Sequence, residues 1–502
     1  MEIPQEVRVG PRLAERSAAG KIRGRTTGPR NPSFPGAVDG RLGSCRARRI
    51  FFAHTQYAGA FLLWPQVLTW LDTAYACFTD EYGSLKRGFL TSVFGLIVGL
   101  ERIFHLDQMQ DVGFAILTGD PGRCPSRHQV GAWRRHVRWN EVDRFCHRTS
   151  PWRELHQQDV LMSFDEHAIP RWTKKFSIPK SYVTTRNKYM RCEKLYLGYD
   201  IDQRRFTTIQ GTPGNIELRD VASLLTRRVL RYGRPSSLHG LFDAGAGKSD
   251  ANVRALMELA DATPNLDITL RACRYPNRVK QWKALPADEF TVYEEPGVCE
   301  GAPPKEIRIA ETRTKLKDES EQQAVRTIVC RQVIPGPKKD RWHPLYTTSD
   351  AEKGELVDEF RLRQHHEQAY RVEVHDEFLN AVTCGYDKKS PDRRRPRFCR
   401  GPLQMMGWLA ALVYNACGDF GEQLSPSYTG KFVSTLRRTF FNRPGDLYCT
   451  PTALIVYLNE FPEQNSLIGY IDKFNAAQHR IPWFGNRQLV LSLTPNEARA
   501  GP

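Results

Sequence analysis

Asp159-Val-Leu-Met-Ser-Phe-Asp165-Glu-His-Ala-Ile-Pro170 is the stretch on which the reading of this chain depends. Val160, Met162 and Phe164 alternate with Leu161 and Ser163, the period of a strand, and Pro170 closes the run. Asp165 is then expected at the tip of an apolar strand. Desolvation disfavours a bare carboxylate there unless a cation or a donor meets it. Two readings follow. Either Asp165 caps the next turn, or it is held by a divalent metal and two later acids, Asp243 and Glu367, arrive beside it.

Immediately downstream, Arg171 to Lys194 carries Arg171, Lys174, Lys175, Lys180, Arg186, Lys188, Arg191 and Lys194 against the single acid Glu193. Trp172, Phe176, Tyr182 and Tyr189 are interleaved. Cations for phosphates and rings for bases or sugars suit a nucleic-acid surface, and this one would deliver a polyanion to Asp165. A hairpin is expected over 194–210, then a helix through Val221, Leu224, Leu225 and Val229, then a short strand from Leu238 to Phe242 ending at Asp243. Both aspartates thus follow strands within one β-β-β-α-β-α run.

Two lookalikes fail. Gly247-Lys248-Ser249 mimics the end of a phosphate-binding loop, but the glycine needed five residues earlier is Phe242. His366-Glu367 suggests a zinc-protease helix, but the second histidine position is Tyr370.

Residues 267–348 read as a β-rich insertion, with strands at Ile268 to Arg271, Phe290 to Tyr293, Glu306 to Ala310, Ala324 to Val333 and Leu345 to Thr348, punctuated by Pro and Gly. Trp282 and Trp342 within it are packing residues or stacking platforms. One helix is expected from about Ser349 to Ala381. On it Phe360, Arg363, Glu367, Tyr370 and Val374 share a face, so Glu367 needs a cation, either Arg363 or a metal. A second basic loop follows, with Lys388, Lys389, Arg393, Arg394, Arg395, Arg397 and Arg400. Pro402 to Phe420 is an apolar helix, and 421–502 alternates short strands with a helix near 463–477.

Upstream, residues 1–50 hold eleven basic residues against four acids and show no periodicity. They read as a disordered basic arm, laid along DNA or simply an over-long start of the reading frame. Residues 51–150 are helical in pattern. Within them Ser126 is an expected N-cap, Val130, Trp133 and Val137 an inner face, and Arg134 and Arg135 lie among cations that either read DNA or are solvated.

The whole chain has 502 residues, with 73 Lys+Arg against 56 Asp+Glu, a net charge of +17 that favours a polyanionic partner. The longest apolar stretch, Gly88 to Leu100, is too short to span a bilayer. Twelve scattered cysteines without a C-x-x-C pair indicate reduced thiols in a cytosolic protein, not a disulfide framework or a zinc ribbon.

Two strand-end aspartates, a long β-rich interruption and then a helical glutamate resemble the DDE transposases of bacterial insertion sequences. The likeness is greatest to the subgroup with a Y-x2-R-x3-E-x6-K glutamate motif. Arg363 and Glu367 match it, Phe360 replaces the tyrosine, and Val374, with His375 adjacent, stands where lysine is usual. The resemblance covers roughly 50–495. It implies an α/β fold with a ribonuclease-H-like mixed sheet and flanking helices. The catalytic core would span 155–266 and 349–420, interrupted by the insertion at 267–348, with a helical DNA-binding domain at 51–150 and a C-terminal extension at 421–502.

The resemblance further implies double-stranded transposon-end and target DNA as partners, and two Mg²⁺ or Mn²⁺ ions roughly 3.5–4 Å apart. Asp165 would bridge both ions, Asp243 and Glu367 would each hold one, and Arg363 would orient Glu367 or touch a phosphate. Lys174, Lys175, Arg186, Lys188, Arg191, Arg134, Arg135, Arg393, Arg394 and Arg395 would contact DNA. A dimer in the DNA complex, in the bacterial cytoplasm at the nucleoid, completes the expectation. The alternatives are a ribonuclease-H-like nuclease that only hydrolyses and a domesticated DNA-binding protein with a dead site.

Overall fold

Residues 159–170 form one strand, and its alternation lays out the centre of the molecule. The computed structural model describes residues 50–80, 83–172, 177–183, 186–295, 305–316, 324–334, 340–375, 384–386, 397–459 and 464–493. The expected basic arm, Lys174 and Lys175, and Arg393, Arg394 and Arg395 lie outside them.

In chain order, β1 (Phe51–Thr55) precedes α1 (Trp64–Cys77), α2 (Leu85–Ile97), α3 (Val112–Leu117), α4 (Arg127–His136) and α5 (Trp139–Thr149). Then come β2 (Asp159–Pro170), β3 (Lys180–Val183), β4 (Lys188–Asp200), β5 (Arg205–Pro213), α6 (Leu218–Arg228), β6 (Ser237–Phe242), α7 (Asp250–Asp261) and β7 (Leu266–Arg271). After α8 (Pro276–Lys283) follow β8 (Thr291–Glu295), β9 (Lys305–Thr314), β10 (Val325–Gln332), β11 (Arg341–Trp342) and β12 (Leu345–Thr347). The chain continues with α9 (Lys353–Leu362), α10 (Gln364–His375), α11 (Arg400–Leu424), α12 (Val433–Leu436), β13 (Gly445–Cys449), β14 (Ala453–Leu458), α13 (Gln464–Ala476), β15 (Arg480–Ile481) and β16 (Arg487–Leu493).

The result is a mixed α/β protein with two sheets. In the larger, β4 lies antiparallel between β2 and β5, while β6 and then β7 add parallel on the far side of β2. Val160, Met162 and Phe164 face a core closed by α6 and α7 through Val221, Leu225, Val253 and Leu256. Leu161 faces the other core, where α11 contributes Leu403, Met406 and Ala410. Phe164 and Phe242 stack at 5.0 Å across the β2–β6 pair, and Gly198, opposite Phe164, has no room for a Cβ, which would lie 2.7 Å from Thr208.

The strands of the expected β-rich insertion extend the same sheet, which continues beyond β7 through β12, β10, β9 and β8, and residue 267 falls inside β7. Trp282 and Trp342 are both buried among the packing of this region. Upstream, Ser126 does cap α4, in a reciprocal capping box with Gln129, and Val130, Trp133 and Val137 are buried. The Gly88–Leu100 stretch lies largely in the buried helix α2. No helix among the described residues is long and apolar enough to cross a membrane.

The smaller sheet runs β1-β13-β14-β16-β15. Its first strand comes from the N-terminal region and the rest from the C-terminal extension, so these two regions share one sheet and one core with α1, α2 and α11.

Candidate active site

The site is assembled by the parity of strands β2 and β6. Phe164 and Phe242 are the last paired residues of this parallel pair, so Asp165 and Asp243, one residue further, emerge side by side on the face away from the Phe–Phe stack. Asp165 is not at the tip of its strand. β2 runs on to Pro170 beside β4, Asp165 pairing with Leu197, and the aspartate marks where β2 loses β6 as a neighbour. That gap is the crevice outside the carboxyl ends of parallel strands where open α/β sheets place their ligands. Beyond Asp243 the chain turns tightly, with Ala246 N–H donating to the Asp243 carbonyl, and Gly247 passes so close to Arg271 that a Cβ would lie 2.5 Å from its carbonyl oxygen.

Glu367 arrives from the other side. The single helix expected over 349–381 is two, α9 and α10, meeting at Arg363, whose carbonyl accepts from the N–H groups of His366 and Glu367. Positions 376–381 lie outside the described residues. The break leaves Arg363 aimed at the sheet, with its guanidinium 6.0 Å from the Phe360 ring.

Arg363 gathers the three acids. Its Nη1 donates to Asp165 Oδ2 at 3.1 Å, its Nη2 lies 3.6 Å from Asp243 Oδ1, and the same nitrogen donates to Glu367 Oε1 in a short hydrogen bond. The arginine is 5% exposed. Exposure rises outward through the acids, from 19% of the side chain at Asp165 to 38% at Asp243 and 47% at Glu367. Burial pushes the Asp165 carboxyl up to about 6, with Asp243 adding to the rise while Arg363 and the Glu166 N–H oppose it. Burial also works against the charged guanidinium, but Asp165, Asp243 and Glu367 together hold it above its ordinary value.

Beneath this cluster lies a pair the sequence reading missed. Ser163 Oγ and His366 Nδ1 are 2.7 Å apart and both residues are buried, while Tyr199 stacks on the imidazole at 5.1 Å. Burial, and then Arg363, hold this histidine well below its ordinary value, so it stays neutral. The signal was available, because Ser163 has the parity of Asp165 and His366 adjoins Glu367.

The expected nucleic-acid contacts divide. Arg186 and Lys188 lie 5.8 and 5.3 Å from the ring of Trp172, which is 71% exposed, and Tyr189 is 75% exposed beside Tyr182. This hairpin, β3–β4, presents rings and cations together. Arg191 lies on the paired segment of β4, its carbonyl accepting from Arg171 N–H. Glu193, the lone acid of the basic stretch, is buried and consumed by Arg171 and by the N–H of Gly385. On α4, Arg135 is exposed, but Arg134 turns inward and donates to Ser92 Oγ at 3.1 Å. Burial lowers that guanidinium to about 10.

No model of a known protein family matches the chain, and no curated protein matches it in sequence. The geometry stands on its own.

Proposed function

We propose that this chain is a DNA transposase of the DDE kind, cutting DNA strands and joining the freed 3′-OH to a second DNA, on a ribonuclease-H-like core. One observation carries the reading: Asp165 and Asp243, from neighbouring parallel strands, converge with Glu367 on one buried guanidinium in the crevice where β2 outruns β6. The strand order β5-β4-β2-β6-β7, three antiparallel strands followed by two parallel ones reached through helices, is the order expected of such a core and supports it.

The donor chemistry fits hard divalent cations, since all three groups offer carboxylate oxygens and two of them face solvent. Asp165, Asp243 and Glu367 would hold Mg²⁺ or Mn²⁺, which when bound supplies positive charge to the oxygens entering and leaving phosphorus. The residues of the chain do the rest. Asp165, the most buried of the three, is fixed by the Glu166 N–H at 2.8 Å. Ser163 and His366 set the floor below it. Asp243 and Glu367 border the open side from which a phosphodiester enters. Arg186 and Lys188 take backbone charge while Trp172 and Tyr189 stack on bases or sugars. Double-stranded DNA is the substrate on this reading. Two copies pair two ends, and the protein works at the bacterial nucleoid.

The test uses labelled DNA from the borders of the reading frame in Mg²⁺. The wild type is expected to cut and to join the new 3′-OH to a second duplex, and chelation with EDTA to stop both. Cutting without joining would replace the proposal with a nuclease that only hydrolyses, and DNA binding without either would mean a dead site.

A further inference from the structure

At the centre of the cluster the guanidinium of Arg363 stands among the three carboxylates, 3.1 Å from Asp165, 3.6 Å from Asp243 and in a short hydrogen bond with Glu367. A planar guanidinium with donors on separate nitrogens spreads its acceptors, whereas Mg²⁺ draws oxygens to roughly 2.0–2.1 Å of a single point. The two cations therefore compete for the same oxygens.

We infer that Arg363 is a resident counter-cation of the site. Without DNA it occupies the triad and weakens divalent-metal binding there by competing for the same oxygens, and it vacates the triad more readily when a phosphate offers a replacement partner. This inference rests on the transposase reading of the triad and deepens it by naming how metal loading is controlled. Four features support the exchange. Arg363 sits at the junction of α9 and α10, where the helical path is already broken. Its side chain is nearly buried, so its charge is compensated by the acids and not by water. The acids it contacts become more exposed outward, so phosphate and metal approach from the same open side. Finally, a guanidinium binds phosphate bidentately as well as it binds carboxylate, so DNA can take over a partner that the metal displaces. Linkage then requires that DNA tighten metal binding and that metal tighten DNA binding by the same factor.

The experiment measures Mn²⁺ binding to the full chain without DNA, by the loss of the free Mn²⁺ resonance, for wild type, R363Q, D165N and the R363Q/D165N double variant. R363Q is expected to bind Mn²⁺ at least about tenfold more tightly than wild type, a gain of about 1.4 kcal/mol, and the double variant to lose that gain. Binding by R363Q that depends on Asp165 but is no tighter than wild type would overturn the counter-cation while leaving the triad a metal site. Binding that ignores Asp165 in every variant would remove the triad as a metal site, and the transposase reading with it.

A second measurement needs no variant at position 363. Modification of Arg363 by phenylglyoxal in the wild type, read by mass spectrometry, is expected to quicken several-fold on adding Mn²⁺. Arg278, buried against Asp250 and Tyr346, should not change. An Arg363 rate indifferent to Mn²⁺ would equally overturn the exchange.

Discussion

Two clusters among the described residues, one around Arg363 and one around Arg205, each set three acids on one arginine, and the first lies beyond the paired ends of two parallel strands. Around Arg363 stand Asp165, Asp243 and Glu367. Around Arg205 stand Glu154, Asp419 and Glu422, with Asp419 at 2.6 Å and Glu422 at 3.7 Å. The two look alike electrostatically. Burial pushes Asp165 and Asp419 alike up to about 6, and in both the acids hold the arginine above its ordinary value against the effect of burial. They differ in position. The Arg205 cluster ties the start of β5 to α11 and to the segment before β2, beside the β4–β5 turn, whereas the Arg363 cluster opens beyond the last paired residues of two parallel strands. An acid cluster with a cation is thus ordinary protein architecture, and placement in the sheet separates the two.

Mutation should separate them most sharply. D165N is expected to lower strand cleavage by at least about a thousandfold, by analogy with the loss of a principal charge-stabilising group, with DNA binding retained in a filter or gel-shift assay. R205Q should leave cleavage per folded molecule unchanged. It should instead lower unfolding stability in urea by roughly 1–3 kcal/mol, since three acids lose a partly buried partner. If R205Q silences cleavage as D165N does, the contrast between the clusters collapses.

A further substitution probes the scaffold that the two aspartates share. F164A removes one ring of the stacked pair beneath Asp165 and Asp243 and should cost about 3–5 kcal/mol in urea unfolding. An unchanged denaturation midpoint would show that the strand parity proposed to aim the acids is not maintained by that pair.

Smaller effects belong to the hairpin. W172A is expected to weaken DNA binding by roughly tenfold, the scale of one lost stacking contact. K188Q should reduce the salt dependence of binding by about one phosphate contact. The corresponding changes near Arg205 should alter neither.

The pH response is where the two clusters should look the same. A carboxyl raised to about 6 when folded takes up a proton before the unfolded chain does. Its presence therefore makes the fold gain stability as pH falls from about 6 towards 4, and lose it as pH rises through 6. Wild type should gain on both D165N and D419N over that window in thermal melts. A variant that tracks wild type across it would show that its aspartate is not raised by burial.

Much of this was legible in the sequence because it is encoded locally. The alternation of residues 160–164 gave the strand, the strand before Asp243 gave the second acid, and the spacing of Phe360, Arg363 and Glu367 gave the third with its cation. What was not legible depends on distant partners. The length of β2 past Asp165 is set by β4, not by its own residues. The pairing of β1 with β13, between residues about 390 apart in the chain, leaves no local periodicity to read. Helix α8 begins with a recognisable Pro276, but Val279 and Trp282 are its only apolar residues, too few to register as a helical face. The break at Arg363 was hidden because its residues keep helical spacing across it, and the guanidinium's grip on all three acids was seen only as a pair with Glu367.

The most direct test compares cutting of end-labelled border DNA in Mg²⁺ by wild type, D165N, D243N, E367Q and R205Q at equal folded concentration. The three triad variants are expected to lose cleavage while R205Q cuts at the wild-type rate. Cleavage that survives in D165N, D243N and E367Q would mean that these carboxylates do not carry the chemistry.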